Sequence, residues 1–143
     1  RPVPPAARPV VPWPGPEALV LEHRAHAPGH AALWLPDPRV LVAGDMLSDT
    51  EVPLLDLTAA DPLADYRAGL NVLAPFVARA AVLVPGHGHV AQGPAVRRRL
   101  TADLAYLDAL TRGVPPGIPQ EPRLADPEVR QQHEAQVQRT RRR

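Results

Sequence analysis

Apolar residues in this chain come in short runs, each bounded by Pro, Gly or a charged residue. Ala18-Leu19-Val20-Leu21-Glu22-His23 alternates weakly and reads as a strand. A turn at Ala27-Pro28-Gly29 follows, then a second apolar run, Ala31 to Leu35. Pro36-Asp37-Pro38-Arg39 is a tight connection to Val40-Leu41-Val42-Ala43, so the two runs predict a hairpin that ends at Gly44-Asp45. Ala81-Val82-Leu83-Val84 is a fourth short strand, leaving through Pro85-Gly86-His87-Gly88.

Two longer segments have helical periodicity. Asp61-Pro62 places an N-cap before a proline at the first helical position, which predicts a helix to about Leu73, ended or kinked by Pro75. From Pro94 to about Arg112, Val96, Leu100, Leu104, Leu107 and Leu110 recur at steps of four and three, and Gly113 closes the segment. Asp103 and Asp108 fall off that stripe and are expected on a solvated face. Asp126-Pro127-Glu128 starts a last helix whose polar content (Gln131, Gln132, His133, Glu134, Gln136) predicts a surface position or fraying.

Composition divides the chain into a compact middle, 17–112, and two proline-rich flanks. Seven of the 20 prolines fall in residues 1–16, which excludes helix and central strand there and predicts an extended lead-in. Residues 113–143 read as a linker, the polar helix and an arginine tail. With 143 residues and 45% apolar content, one packed domain is expected. The formal net charge is +1, and every basic residue is Arg. Arg97-Arg98-Arg99 and Arg141-Arg142-Arg143 read as a solvated helix face and a tail, so no nucleic-acid partner is expected. Nothing reads as a signal peptide or reaches the ~20 apolar residues a bilayer span needs, so the expectation is a cytoplasmic protein without a membrane partner. The chain starts with Arg, which reads as a fragment of a longer product.

Chemistry changes the picture most at the strand ends. There are no cysteines, so a metal site would need His, Asp or Glu donors. His26, Asp45 and His87 each stand just beyond a predicted strand, where loops can gather side chains. Local chemistry leaves two readings open: an incomplete metal site, or polar residues that punctuate strand ends.

In order and spacing, His26-Ala27-Pro28-Gly29-His30, Gly44-Asp45 and Val82-Leu83-Val84-Pro85-Gly86-His87-Gly88 resemble the C-terminal half of the metallo-β-lactamase superfamily, over roughly residues 17–112. The resemblance implies an α/β fold, half of a four-layer αββα sandwich, with a mixed β-sheet and flanking helices. It implies that His26 ligates a first metal, that Asp45 bridges two metals and is the catalytic carboxylate, and that His87 ligates the second. His30 is an alternative first ligand, but His26 keeps the strand lengths, which leaves His30 behind the ligands, as in glyoxalase II-like members. His89 is expected to be a solvent-facing loop residue, His23 an outward strand residue and His133 a surface helix residue. The implied cofactor is Zn²⁺, binuclear in the complete fold, or Fe or Mn, and the implied activity is hydrolysis of an ester, thioester, lactone or related bond in a small-molecule substrate. The superfamily's principal His-x-His-x-Asp-His motif does not occur here. Two expectations follow: a hydrolase inactive without its N-terminal half, or a non-catalytic half-fold that associates with that half or with itself.

Overall fold

The computed structural model describes residues 8–141. Five strands, β1 (Leu19–His23), β2 (His30–Leu35), β3 (Val40–Gly44), β4 (Val82–Pro85) and β5 (Ala91–Gln92), form one sheet in sequence order. β1, β2 and β3 are an antiparallel meander, β3 and β4 are parallel, and β4 and β5 are antiparallel. The parallel pair needs a crossover, supplied by α1 (Pro62–Val77). α2 (Pro94–Thr111) and α3 (Pro127–Arg141) follow, with a short 3₁₀ turn at Pro122–Ala125 between them. The two-residue β5 has no counterpart in the hydropathy pattern.

Alternation assigns the two sheet faces different tasks. Leu21, Ala32, Trp34, Leu41 and Leu83 are buried, in a core shared with Tyr66, Leu70 and Leu73 of α1 and with Val96, Tyr106 and Leu107 of α2. On the opposite face Val20 pairs with Leu33, Leu33 with Val42, and Val42 with Val84. These four form an apolar row across the sheet, each only half-buried.

Three expectations are corrected here. Pro75 neither ends nor visibly interrupts α1, which runs on to Val77; only its last turn lies beyond the proline, and Phe76 and Val77 anchor that turn in the core. The polar C-terminal helix is neither frayed nor purely superficial, because Val129, His133 and Gln136 of α3 are buried. Asp103 lies not on a solvated face but 1% exposed, beneath the 3₁₀ turn.

The connection lengths bring the predicted site residues to one end. β1 ends where β2 begins, β2 begins beside the end of β3, and β3 ends beside the end of β4. The residues leaving β1, β3 and β4 therefore share one rim of the sheet, which is where His26, Asp45 and His87 stand. No helix among the described residues is long and apolar enough to cross a membrane.

Candidate metal centre

Asp45 is the focus of the rim. His26 Nε2 lies 3.4 Å from Asp45 Oδ2, and His87 Nε2 lies 3.4 Å from Oδ1, so the two imidazoles address opposite oxygens of one carboxylate. His26 Nδ1 donates to the Leu54 carbonyl at 3.2 Å. In a neutral ring that bond leaves Nε2 without a proton and turns its lone pair to the carboxylate side. Glu51 Oε1 is 3.7 Å from His87 Nδ1 on the far side of that ring.

His30 lies behind the cluster. The Asp45 backbone N–H donates to its Nε2 at 3.1 Å, its Nδ1 lies 3.2 Å from His23 Nε2, and His23 Nδ1 accepts from the Ala25 N–H at 3.3 Å. His23 is therefore no outward strand residue: it sits opposite His30 in the β1–β2 register and is 8% exposed. Burial, then the neighbouring His30 and His26, lowers its pKa to about 4. Burial and His26 also lower that of His30, against the raising effect of Asp45. His30 thus braces the backbone at Asp45, with His23 directly behind it.

Glycine is required where these pieces touch. Gly44 has φ +60°, and a Cβ there would come within 2.7 Å of the His30 ring. A Cβ on Gly86 would come within 2.7 Å of Asp45 Oδ1, and the Gly86 N–H donates to the Gly44 carbonyl at 2.7 Å. The two glycines let the β3 and β4 exits close on the carboxylate.

The loop after Asp45 is held from outside by residues that a hydropathy reading passes over. Asp49 accepts from the His89 N–H at 2.9 Å and pairs with His89 Nδ1 at 3.0 Å and Arg99 at 3.3 Å. Burial works to raise the Asp49 pKa, but the bonds from His89 and the Arg99 charge outweigh it and hold it below the ordinary value. Arg99 also bonds the Leu47 and His89 carbonyls, so it is not a solvated residue like its neighbours in the arginine run. The His89 side chain is 80% exposed, facing solvent as expected.

Deeper, Arg123 donates to the Ser48 and Glu51 carbonyls at 3.1 and 3.0 Å, to Asp103 at 2.6 Å, and to Glu121 through two nitrogens at 2.7 and 2.8 Å. Burial alone would push the Asp103 carboxyl up; even against Arg123 it stands at about 6. Burial works against the Arg123 charge too, but Glu121 and Asp103 outweigh it and hold its pKa above the ordinary arginine value.

A second tie comes from α3. The Leu55 N–H donates to Gln136 Oε1 at 2.6 Å, Gln136 Nε2 donates to the Tyr106 hydroxyl at 2.8 Å, and that hydroxyl donates to His133 Nδ1 at 2.9 Å. His133 is thus buried rather than superficial, and burial lowers its pKa. Glu51, Asp103, Arg123 and Gln136 were absent from the sequence-based site, because none belongs to a recognisable motif.

The metallo-beta-lactamase superfamily model matches residues 2–87, more than half of the chain. The chain belongs to this superfamily. No curated protein matches it. Among solved structures, a metallo-beta-lactamase family protein from Thermus thermophilus is 32% identical with a TM-score of 0.61, over 78% of this chain and 38% of that one. A beta-lactamase domain protein from Burkholderia ambifaria is 28% identical with a TM-score of 0.60, over 77% of this chain and 34% of that one. A sec-alkylsulfatase from a Pseudomonas species is 21% identical with a TM-score of 0.61, over 77% of this chain and 18% of that one, and shares the fold. The chain spans little more than a third of the first two proteins, and the mixed sheet with flanking helices is the part they share with it.

The metallo-beta-lactamase superfamily binds metals and includes metal-dependent hydrolases, and the donor spacing here suits a cation. An N–H···O hydrogen bond spans about 2.7–3.2 Å. Two ligands about 2.0–2.2 Å from one tetrahedral ion lie about 3.3–3.6 Å apart. Both 3.4 Å separations fit a shared cation better than a hydrogen bond, and the His26 Nδ1–carbonyl bond is the usual support of a ligating imidazole. Among the described residues no group of three or more His, Asp or Glu side chains is arranged to hold one ion. The cluster therefore offers two donors to each side of Asp45.

Proposed function

We propose that this chain carries the C-terminal share of a metal-dependent hydrolase site. His26 and Asp45 would hold one ion, and Asp45 and His87 a second, with His30 orienting the backbone of the bridging carboxylate. The observation that supports this most is the opposed placement of two imidazole nitrogens, each 3.4 Å from a different Asp45 oxygen. Zn²⁺ suits imidazole and carboxylate donors without thiolate, as Fe and Mn also do. Such an ion lowers the pKa of a bound water toward ~7 and polarises the bond under attack, which serves ester, thioester and lactone hydrolysis alike. The chain's own residues supply the frame: the His26 bond to the Leu54 carbonyl fixes that ring, and Arg123 fixes the loop after Asp45.

Two donors per ion hold a metal weakly, so we infer that further ligands come from outside these residues. The half-exposed row Val20, Leu33, Val42 and Val84 favours a companion layer, whether an N-terminal half or a second copy. The same row supports a second reading, a non-catalytic module that works by association. Cobalt(II) titration of the purified chain, followed by visible absorption, tests the metal reading. Uptake lost in Asp45→Ala supports it. No uptake by a folded chain refutes it and leaves the association module, which predicts a complex in sedimentation.

A further inference from the structure

A second feature lies outside the rim. A cleft of about 720 Å³ runs between one face of α2 and the Val114–Pro122 segment. That is within the range of small-molecule pockets, roughly 300–1,000 Å³. Along α2 its wall is Arg98, Ala102, Ala105, Ala109 and Arg112, steps of three and four residues that define one helical face. Across the cleft stand Val114, Pro115 and Pro116.

The charges around it are unequal. Asp49 is matched by Arg99 and His89, and Glu121 by Arg123. The Arg98 and Arg112 guanidiniums have no ion pair or hydrogen bond among the described residues. The cleft therefore joins a mostly apolar wall to two uncompensated cations. Arg98 stands one turn into α2, away from its negative end, whereas Arg112 caps that end, whose partial charge opposes an anion there. From Ala102 to Ala109 the alanine stretch covers about 10 Å.

We propose that this cleft is a binding site for an amphipathic small-molecule anion, its apolar body on Ala102, Ala105 and Ala109 and its anionic head on Arg98. Its floor includes Ser48 and Asp49, part of the loop that follows Asp45, so an occupant would rest against the same loop as the rim cluster. This site does not depend on metal binding at the rim.

Decanoate is the probe, titrated by isothermal calorimetry and by ¹⁵N–¹H NMR on the full chain, with decanol as the uncharged control. The expected result is saturable decanoate binding, with amide shifts at Ala102, Ala105, Val114 and Gly117, and at least tenfold weaker binding of decanol. Arg98→Gln is expected to weaken decanoate at least tenfold, and Arg112→Gln less than threefold. Ala105→Trp fills the cleft and abolishes binding; because Ala105 is exposed, the bulk enters no packed core, and an unchanged far-ultraviolet spectrum and melt verify that. No saturable binding, equal binding by Ala105→Trp, or equal affinity for decanol overturns the proposal.

Discussion

Replacing Arg123 with Met keeps most of the side-chain volume and removes the charge. Asp103 and Glu121, 1% and 6% exposed, then lose the guanidinium that bonds both of them, and the Ser48 and Glu51 carbonyls lose a donor. Breaking one partner of a buried ion pair costs about 3–5 kcal/mol. Against a total stability of about 5–15 kcal/mol, that is a large fraction. With a urea m-value of about 2 kcal/mol per molar, the unfolding midpoint should fall by about 1.5–2.5 M. The loss should depend on pH in a definite direction. Asp103 already has its folded pKa raised to about 6, and without Arg123 nothing opposes burial. A carboxyl raised in the folded state stabilises the fold when protonated, and that contribution is lost as pH rises. Arg123→Met should therefore be less damaging at pH 5 than at pH 8. Adding Asp103→Asn and Glu121→Gln to Arg123→Met should recover part of the loss by removing the stranded charges. A midpoint within about 0.5 M of wild type, or a cost that does not grow from pH 5 to pH 8, would refute the reasoning.

Other outcomes follow from the same structure. Gly44→Ala, at φ +60° and against the His30 ring, should cost more than the roughly 1–2 kcal/mol of left-handed strain alone, measured by urea denaturation; a smaller cost would show that the ring yields freely. Gln136→Leu strands the Leu55 N–H and should cost about 1–3 kcal/mol, with faster amide exchange at Leu55 as its local signature. The folded pKa of His23, lowered to about 4, means that its contribution is fully present above about pH 6.5 and is lost as pH falls toward 4. In His23→Gln the fall in melting temperature over that window should be shallower; an identical slope would remove His23 from the acid response.

The meander was legible because its pattern is written twice, in the alternation of Leu19 to His23 and in the proline and glycine turns that separate the runs. The rim cluster was legible for a related reason: a glycine beside Asp45 and beside His87 marks a close approach, and the structure has Gly44 against His30 and Gly86 against Asp45. The C-terminal third resisted the same reading. Its buried side chains include Glu121, Arg123, His133 and Gln136, polar groups that any hydropathy pattern assigns to solvent. Arg123, His133 and Gln136 each find a hydrogen-bond partner on a segment distant in sequence, and Glu121 is held by Arg123; such pairings leave no periodic trace. Asp103 was assigned to solvent for the same reason. Pro75 misled in the opposite sense, since a proline near the end of a helix removes little when the residues beyond it are held by the core.

The ties between the C-terminal segment and the Asp45 loop also set an order of events. Arg123 reaches back 75 residues to Ser48, and Arg139 reaches back 82 to Leu57. Contacts of such sequence separation form late, because a long loop must close before they reward the chain. On a ribosome, Asp45 and His26 emerge well before the residues that hold the loop around them, so that loop is fixed only once Arg123 has emerged, and a chain stopped before Arg123 would have the rim donors without their restraint.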